Sequence, residues 1–243
     1  MSVKIFHAND SAVCFESEES KILIDCIYCS DSSIRSVGMS PMPAEFKSML
    51  ENGTGVFERP DLIAFTHSHI DHYDEKQVVE YLEKNKDVLY FAPCDEKNNV
   101  KIVKENGFDV IKHKDFELVI LNSEHLDVGD VAEPVPVCSM LVKYSDCSYF
   151  IASDSVLDAQ AYDRFASAAD KPVKYGFFNI MQMNLDESRE FIRRLNPQKA
   201  VLYHMPEKED DDFGYYTLVS RLKRKYPEDL PEYMIAEHMK GFE

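Results

Sequence analysis

The sequence predicts an α+β chain layered as helix, sheet, sheet, helix: a four-layer αββα sandwich. Three observations predict it. Short apolar runs bounded by turn residues alternate with helical periodicities in a two-fold rhythm, strands then helices and again strands then helices, so each half can form a sheet with helices on one face. The length of 243 residues and a hydrophobic content of 44% suit one large domain, 1–243, with an ordinary core. The residues able to do chemistry fall at the ends of apolar strands, where packing can bring them to one edge of the sheets.

Taken in order, Val3 to His7 alternates like a strand, Ala8 to Ser11 turns, Ala12 to Phe15 continues, Glu16 to Lys21 turns, and Ile22-Leu23-Ile24 ends at Asp25. This is a three-strand meander. Residues 27–60 are irregular, punctuated by Gly38, Pro41, Pro43, Gly53, Gly55 and Pro60, with a short helix expected over 44–51. Such a segment reads as a loop that shapes a substrate site, and its Met39, Met42, Phe46 and Met49 as core or as the lining of an apolar pocket. Leu62 to Phe65 reads as a buried strand. A helix is expected over 77–84 with Asp71 or Asp74 as its N-cap, then a strand over 88–92 and a helix over 95–106 stopped by Gly107. Strands follow at 109–111, 116–121, 137–144 and 148–152, the last two joined through a turn near Ser145-Asp146. A helix at 157–169, a strand at 173–179, a helix at 185–195 stopped by Asn196-Pro197, a strand at 199–203, a helix at 215–225 and a last strand at 233–236 complete the order.

Bulk properties restrict the function. Lys and Arg number 27 against 44 Asp and Glu, a net charge of −17, which repels phosphate backbones and makes nucleic acid a poor partner. A small-molecule substrate is expected. No apolar run is long enough to span a bilayer, and the N-terminus enters a strand pattern at once, so no secretory leader and a cytoplasmic location are expected. The six cysteines are then expected as reduced thiols. Cys26-Ile27-Tyr28-Cys29 has the spacing of a redox pair or half a zinc site, but lacks a second pair. The acidic run 207–212 reads as a solvated loop or as a cover over the mouth of a site. Oligomeric state is not legible.

The densest chemistry is His67-Ser68-His69-Ile70-Asp71-His72, entered from Leu62-Ile63-Ala64-Phe65. Packing has no use for three imidazoles and a carboxylate in six positions, in a chain with only 8 histidines. A transition metal does: neutral imidazole nitrogens and a hard carboxylate oxygen can hold one or two ions. Four further candidates lie at strand ends: Asp25, His125, Asp154 and His204. His7 closes the first strand, and His7 and Asp25 read as strand punctuation or as outer supports of a nearby metal site. His113 reads as solvated, and His238 as a competitor of His204.

His67-x-His69-x-Asp71-His72, followed by His125, Asp154 and His204, resembles the metallo-β-lactamase-fold superfamily of metallohydrolases over most of the chain. His7-Ala8, Ile22-Leu23-Ile24-Asp25 and Asp71-His72-Tyr73-Asp74 resemble its lactonase-like and phosphodiesterase-like branch, which includes ascorbate-6-phosphate lactonase and N-acyl-phosphatidylethanolamine phospholipase D. The resemblance implies the αββα fold and two divalent ions. One would be held by His67, His69 and His125, the other by Asp71, His72 and His204, with Asp154 bridging. Zinc suits the imidazole-rich set, while the carboxylates also admit manganese or iron. The implied activity is hydrolysis of a small ester, lactone or phosphodiester by hydroxide held between the ions, with Asp71 orienting it and taking its proton. A mononuclear-iron, dioxygenase-like oxidoreductase and a non-catalytic metal-binding domain are the alternatives. Two departures stand out: Ser153 precedes Asp154 where the family has Gly, and Cys26 follows Asp25 where this branch has Pro.

Overall fold

The structure is a computed structural model and describes residues 3–95, 100, 102–126, 135–226 and 233–242. The strands are β1 (Lys4–His7), β2 (Val13–Glu16), β3 (Lys21–Ile24), β4 (Leu62–Ala64), β5 (Leu89–Phe91), β6 (Val103–Glu105), β7 (Phe108–His113), β8 (Phe116–Ser123), β9 (Val137–Lys143), β10 (Ser148–Ile151), β11 (Val173–Asn179), β12 (Lys199–Tyr203), β13 (Tyr233–Ile235) and β14 (Lys240–Phe242). The helices are α1 (Ala44–Asn52), α2 (Glu75–Lys84), α3 (Ala159–Ala168), α4 (Ile180–Met183), α5 (Asp186–Leu195) and α6 (Tyr215–Lys225). One sheet has six strands in the order β14-β1-β2-β3-β4-β5, and the other has eight, β13-β12-β11-β10-β9-β8-β7-β6.

The four layers follow from strand alternation, because successive side chains point to opposite faces. Ile22 and Ile24 of β3 and Leu62 and Ala64 of β4 enter the core between the sheets, whereas Leu23 and Ile63 face outward beneath α1 and α2. In the second sheet Tyr149 and Ile151 point inward, and Phe150 points outward beneath α3 and α5. Every strand in these central positions is buried on both faces, which explains continuous apolar runs such as Ile22-Leu23-Ile24. Phe15 spans the inter-sheet core, with ring centroids 5.1 Å from Tyr149 and 6.1 Å from Phe177. Truncating such a ring to Ala costs about 3–5 kcal/mol.

Three expectations are corrected. The helix at 95–106 does not form over its described C-terminal part: Val103–Glu105 is a strand paired antiparallel with β7, while 96–99 and 101 lie outside the described residues. Asn106 and Gly107 both take positive φ, 50° and 87°, and make a two-residue hairpin turn, not a helix stop. The strand at 233–235 is not the last. Lys240–Phe242 returns to the first sheet and pairs with β1 (Ile5↔Phe242), where Phe242 packs on Tyr175 at 5.5 Å. Finally, a short helix, α4, precedes α5. Its signal is Asn179-x-x-Gln182, a reciprocal capping box.

Candidate metal centre

Strand ends from both sheets meet at one edge. The chain leaves β4 at Phe65, and Thr66 is clamped from two sides: its N–H donates to Asp25 Oδ1 (2.8 Å), and its carbonyl accepts from Cys138 N at the start of β9 (3.0 Å). A tight turn then carries the histidines, with His72 N–H and Tyr73 N–H both donating to His69 O (2.9 and 2.8 Å). His125 and Asp154 are tied through the backbone, Leu126 N–H to Asp154 O at 2.6 Å and Val156 N–H to Glu124 O at 2.9 Å. His204, just past β12, donates its N–H to Asp10 O (2.7 Å) in the first turn of the chain.

The structure brings all seven predicted site residues together. Potential ligand atoms of His67, His69, His125 and Asp154 lie within 4.8 Å of one another, as do those of Asp71, His72 and His204. Asp154 stands between the groups: its Oδ2 is 3.7 Å from Nε2 of His67, His72 and His125, and 3.8 Å from His204 Nε2. On the other side His204 Nε2 lies 3.2 Å from Asp71 Oδ2 and 2.8 Å from His72 Nε2.

Outer contacts fix which imidazole nitrogen faces inward. His125 Nδ1–H donates to Leu126 O (2.7 Å) and His72 Nδ1–H to Asp25 Oδ2 (2.8 Å), so both Nε2 atoms present lone pairs. Thr66 Oγ1 donates to Asp25 Oδ2 (2.8 Å) and accepts from Ser153 Oγ (2.7 Å). Its remaining lone pair accepts from His67 Nδ1–H at 3.1 Å. His67 Nε2 and His125 Nε2 are buried with no hydrogen-bond partner. Buried polar atoms pointing at one spot without partners fit a cation there. His204 differs, because its Nδ1 is buried without a partner while its Nε2 lies against Asp71 and His72.

The electrostatics agree with a cation. Burial and the adjacent His72 push His67 well below its ordinary pKa, and burial lowers His125. Burial opposes charge on Asp154, yet His204, His72 and His67 hold it well below the carboxylate range. Asp71 is likewise lowered, against its burial, by His72 and His204. Burial also opposes charge on His72, but Asp25 and Asp71 raise it well above its usual value. The carboxylates thus draw positive charge to the same point. Asp10 is the exception: burial and the charge of Asp71 push its carboxyl well above the usual range, and neither of its oxygens has a partner.

Four of the nine described non-glycine residues with positive φ belong to this edge: Asp10 (45°), Asp25 (54°), Ser153 (53°) and His204 (57°). Each costs about 1–3 kcal/mol, and such residues persist only where surrounding contacts over-determine them. Ser153 shows why glycine suits its position, since the backbone there is left-handed. Its hydroxyl offsets the strain by bonding Thr66.

Three polar residues escaped the sequence reading. Asn179 Nδ2 donates to Asp154 Oδ1 (2.7 Å), and Gln182 Nε2 holds the Asp154 turn through Ser153 O and Ser155 O (2.9 and 2.8 Å). The capping box was the signal that could have found these two, whereas nothing in the sequence singles out Thr66. His7 touches none of the seven. Its ring lies 3.0 Å from Asp10 O and 3.2 Å from Glu237 O, so it reaches His204 only through the backbone of Asp10. His238 is not in the cluster and pairs with Glu207 (2.9 Å). His113 faces Asp61 at 3.4 Å. The cysteines are free thiols, with Cys26 and Cys29 buried.

The cluster floors a cleft of about 540 Å³, whose walls include Met39, Ile70, Met181, Phe213, Tyr215 and Leu218. Part of the wall joins two segments far apart in sequence. Phe213 lies across Gly38, where a Cβ would come within 2.2 Å of the ring; Glu207 N–H donates to Ser40 Oγ (2.8 Å); and Arg35 pairs with Asp210. The acidic run is therefore docked on the 27–60 segment through Glu207 and Asp210, while Lys208, Glu209 and Asp212 are exposed.

No protein-family model matches this sequence, and no curated protein matches it in sequence. Solved structures do match in shape. The metallo-β-lactamase fold protein YhfI from Bacillus subtilis superposes with a TM-score of 0.64 at 13% identity, over 99% of this chain and 98% of that one. An isothiocyanate hydrolase from Delia radicum gut bacteria gives 0.62 at 13% identity, over 99% and 98%. CmlA, a diiron β-hydroxylase from Streptomyces venezuelae, gives 0.65 at 15% identity, over 99% of this chain but 54% of that one. With two packed sheets, outer helices and these neighbours, the chain has the metallo-β-lactamase fold.

Proposed function

We propose that this protein is a metal-dependent hydrolase acting on a small ester, lactone or phosphodiester, with residues 1–243 as one domain around the shared inter-sheet core. The observation that carries this is the position of Asp154 Oδ2, 3.7–3.8 Å from inward-facing nitrogens of both histidine groups. His67, His69 and His125 would hold one divalent ion, Asp71, His72 and His204 a second, and Asp154 both. The donor set suits zinc, with manganese or iron as the other candidates. Ions bound there supply Lewis acidity and bring the pKa of water in contact with them down towards about 7. Asp71, ionised and at the cleft floor, orients the attacking water and accepts its proton. Asp25 and Thr66 keep His72 and His67 aimed inward, and Asn179 does the same for Asp154.

The neighbours named as hydrolases support this reading. CmlA supports a second one, in which the same residues hold iron for an oxidation. The test is metal content by mass spectrometry, with turnover of an ester, lactone and phosphodiester panel and oxygen consumption, in wild type, His69→Ala and Asp71→Ala. Hydrolysis lost with metal in both variants is expected. Full activity in both sinks the proposal, and iron with oxygen uptake but no hydrolysis moves it to the second reading. Among the described residues, no helix is long and apolar enough to cross a membrane.

A further inference from the structure

We infer that the cleft selects an uncharged carboxylic ester or lactone with an apolar acyl chain, and discriminates against phosphate esters. This rests on the hydrolase reading above and adds the substrate class.

The inference starts from what the walls lack. The described residues lining the cleft include no lysine and no arginine. Of the basic residues that the sequence offers for a phosphate, Lys143 is engaged with Glu117 and Asp170, Arg193 with Glu190, and Arg194 with Asp163 while stacked on Tyr162, and Lys174 lies over the Tyr175 ring; none of the four lines the cleft. Arg35, on the wall's own segment, is held by Asp210. An anion entering here meets the carboxylates of Asp71 and Asp154 in a chain of net charge −17. Beyond the ions at the floor the described lining offers it hydroxyls of Ser68 and Tyr215 but no cation, and a charge taken out of water without a counter-charge is strongly disfavoured.

What the walls offer instead is apolar surface: Val37, Met39, Ile70, Met181, Phe213 and Leu218. Phe213 and Ile70 are 58% and 38% exposed, so a bound apolar chain would cover them. The volume of about 540 Å³ lies in the range of small-molecule sites. The wall is preformed, because Phe213 rests on Gly38 and the acidic run is pinned to Ser40. The reaction is a plain hydrolysis. Water oxygen bonds to the acyl carbon, the acyl C–O bond breaks, and one water proton goes to the leaving oxygen, giving an acid and an alcohol.

The experiment has a kinetic arm and a binding arm. In the first, the metal-loaded protein is given p-nitrophenyl acetate, butyrate and hexanoate, and bis(p-nitrophenyl) phosphate, which share one chromophore. In the second, metal-free protein is titrated with the neutral fluorophore N-phenyl-1-naphthylamine. Leu218→Lys and Met181→Lys place a cation in the wall without touching the histidine cluster. For wild type we expect kcat/KM to rise about fourfold per added methylene until the cleft fills, with the phosphodiester poorest. Each lysine variant should lose about tenfold in hexanoate turnover and in fluorophore binding, while its metal content stays at the wild-type level. A flat ester series, a preferred phosphodiester, or fluorophore binding unchanged by both lysines overturns the inference while leaving a hydrolase. Fluorophore binding that the lysines abolish, with no turnover of any substrate, upholds the apolar selectivity and overturns the hydrolase reading instead.

Discussion

The floor and the wall of the cleft are built in opposite ways. The floor hangs on strand ends: His67 follows β4, His204 follows β12, and His125 and Asp154 are bonded backbone to backbone. Its histidines are buried or nearly so, three of its rings are aimed by hydrogen bonds, and strained residues hold its turns. The wall comes from the irregular 27–60 segment, the 207–215 run and the faces of α4 and α6, and Phe213 on its rim is largely exposed. A metal site needs donor atoms placed to a few tenths of an ångström, which packed strands provide. A wall that recognises apolar shape tolerates softer support, and loops vary at lower cost. Substitutions in the floor should therefore act on metal and turnover, and those in the wall on substrate preference.

The largest effect should come from Asp154→Ala, which leaves His67, His72, His125 and His204 without their shared carboxylate. Turnover should drop by about 10³-fold or more and bound metal should fall, read by steady-state kinetics and mass spectrometry. Loss of turnover with full metal content would break the link between the floor and the ions.

The support behind the floor should show in pH dependence. Burial lowers His7 to about 4, and the groups facing it are His238, Asp10 and Glu207. Unfolded, His7 titrates near 6.5 and binds protons that the folded state refuses. Its contribution to stability is thus complete above about pH 6.5 and declines as pH falls towards 4, by about 2–3 kcal/mol at pH 4.5. Burial lowers His238 to about 4 as well, with the same sign. Urea unfolding of wild type and His7→Asn between pH 7.5 and 4.5 isolates the His7 share. Parallel curves would show that His7 stays uncoupled from folding.

Asp25→Asn replaces one of the two carboxylate oxygens by an NH2 donor, so Thr66 N–H and His72 Nδ1–H compete for the single oxygen left, and the inner donors stay in place. Metal affinity should fall about 10–100-fold in competition with a chromophoric chelator, with the fold retained by circular dichroism. Gly38→Ala acts on the wall alone. At φ +81° with the Phe213 ring in the way, it should cost about 1–2 kcal/mol of stability. It should raise KM for an apolar ester several-fold and leave metal content unchanged. The smallest change is expected for Arg35→Ala. This ion pair is half exposed on the arginine side and is worth less than about 1 kcal/mol, so only KM should move slightly.

Much of this was legible in the linear order of residues. Strand and helix positions follow from apolar periodicity, and the run from His67 to His72 has no use except a cation. Legibility failed where local signals compete. Asn106-Gly107 serves a helix stop and a hairpin equally well, and only pairing with β7 decides between them. Lys240–Phe242 is too short to announce itself, and its strand exists because β1 offers an open edge.

By itself the sequence determined the layered α+β architecture and which side chains are candidates to hold a metal, because periodicity and residue chemistry are local properties. Tertiary structure alone decided that Asp154 lies about equally near both histidine groups, that Thr66 braces the turn carrying His67, and that Phe213 closes on Gly38 beside a described cleft lining without lysine or arginine. These are relations among residues up to 175 positions apart. Such distances are set by the packing of the two sheets and carry no trace in neighbouring letters.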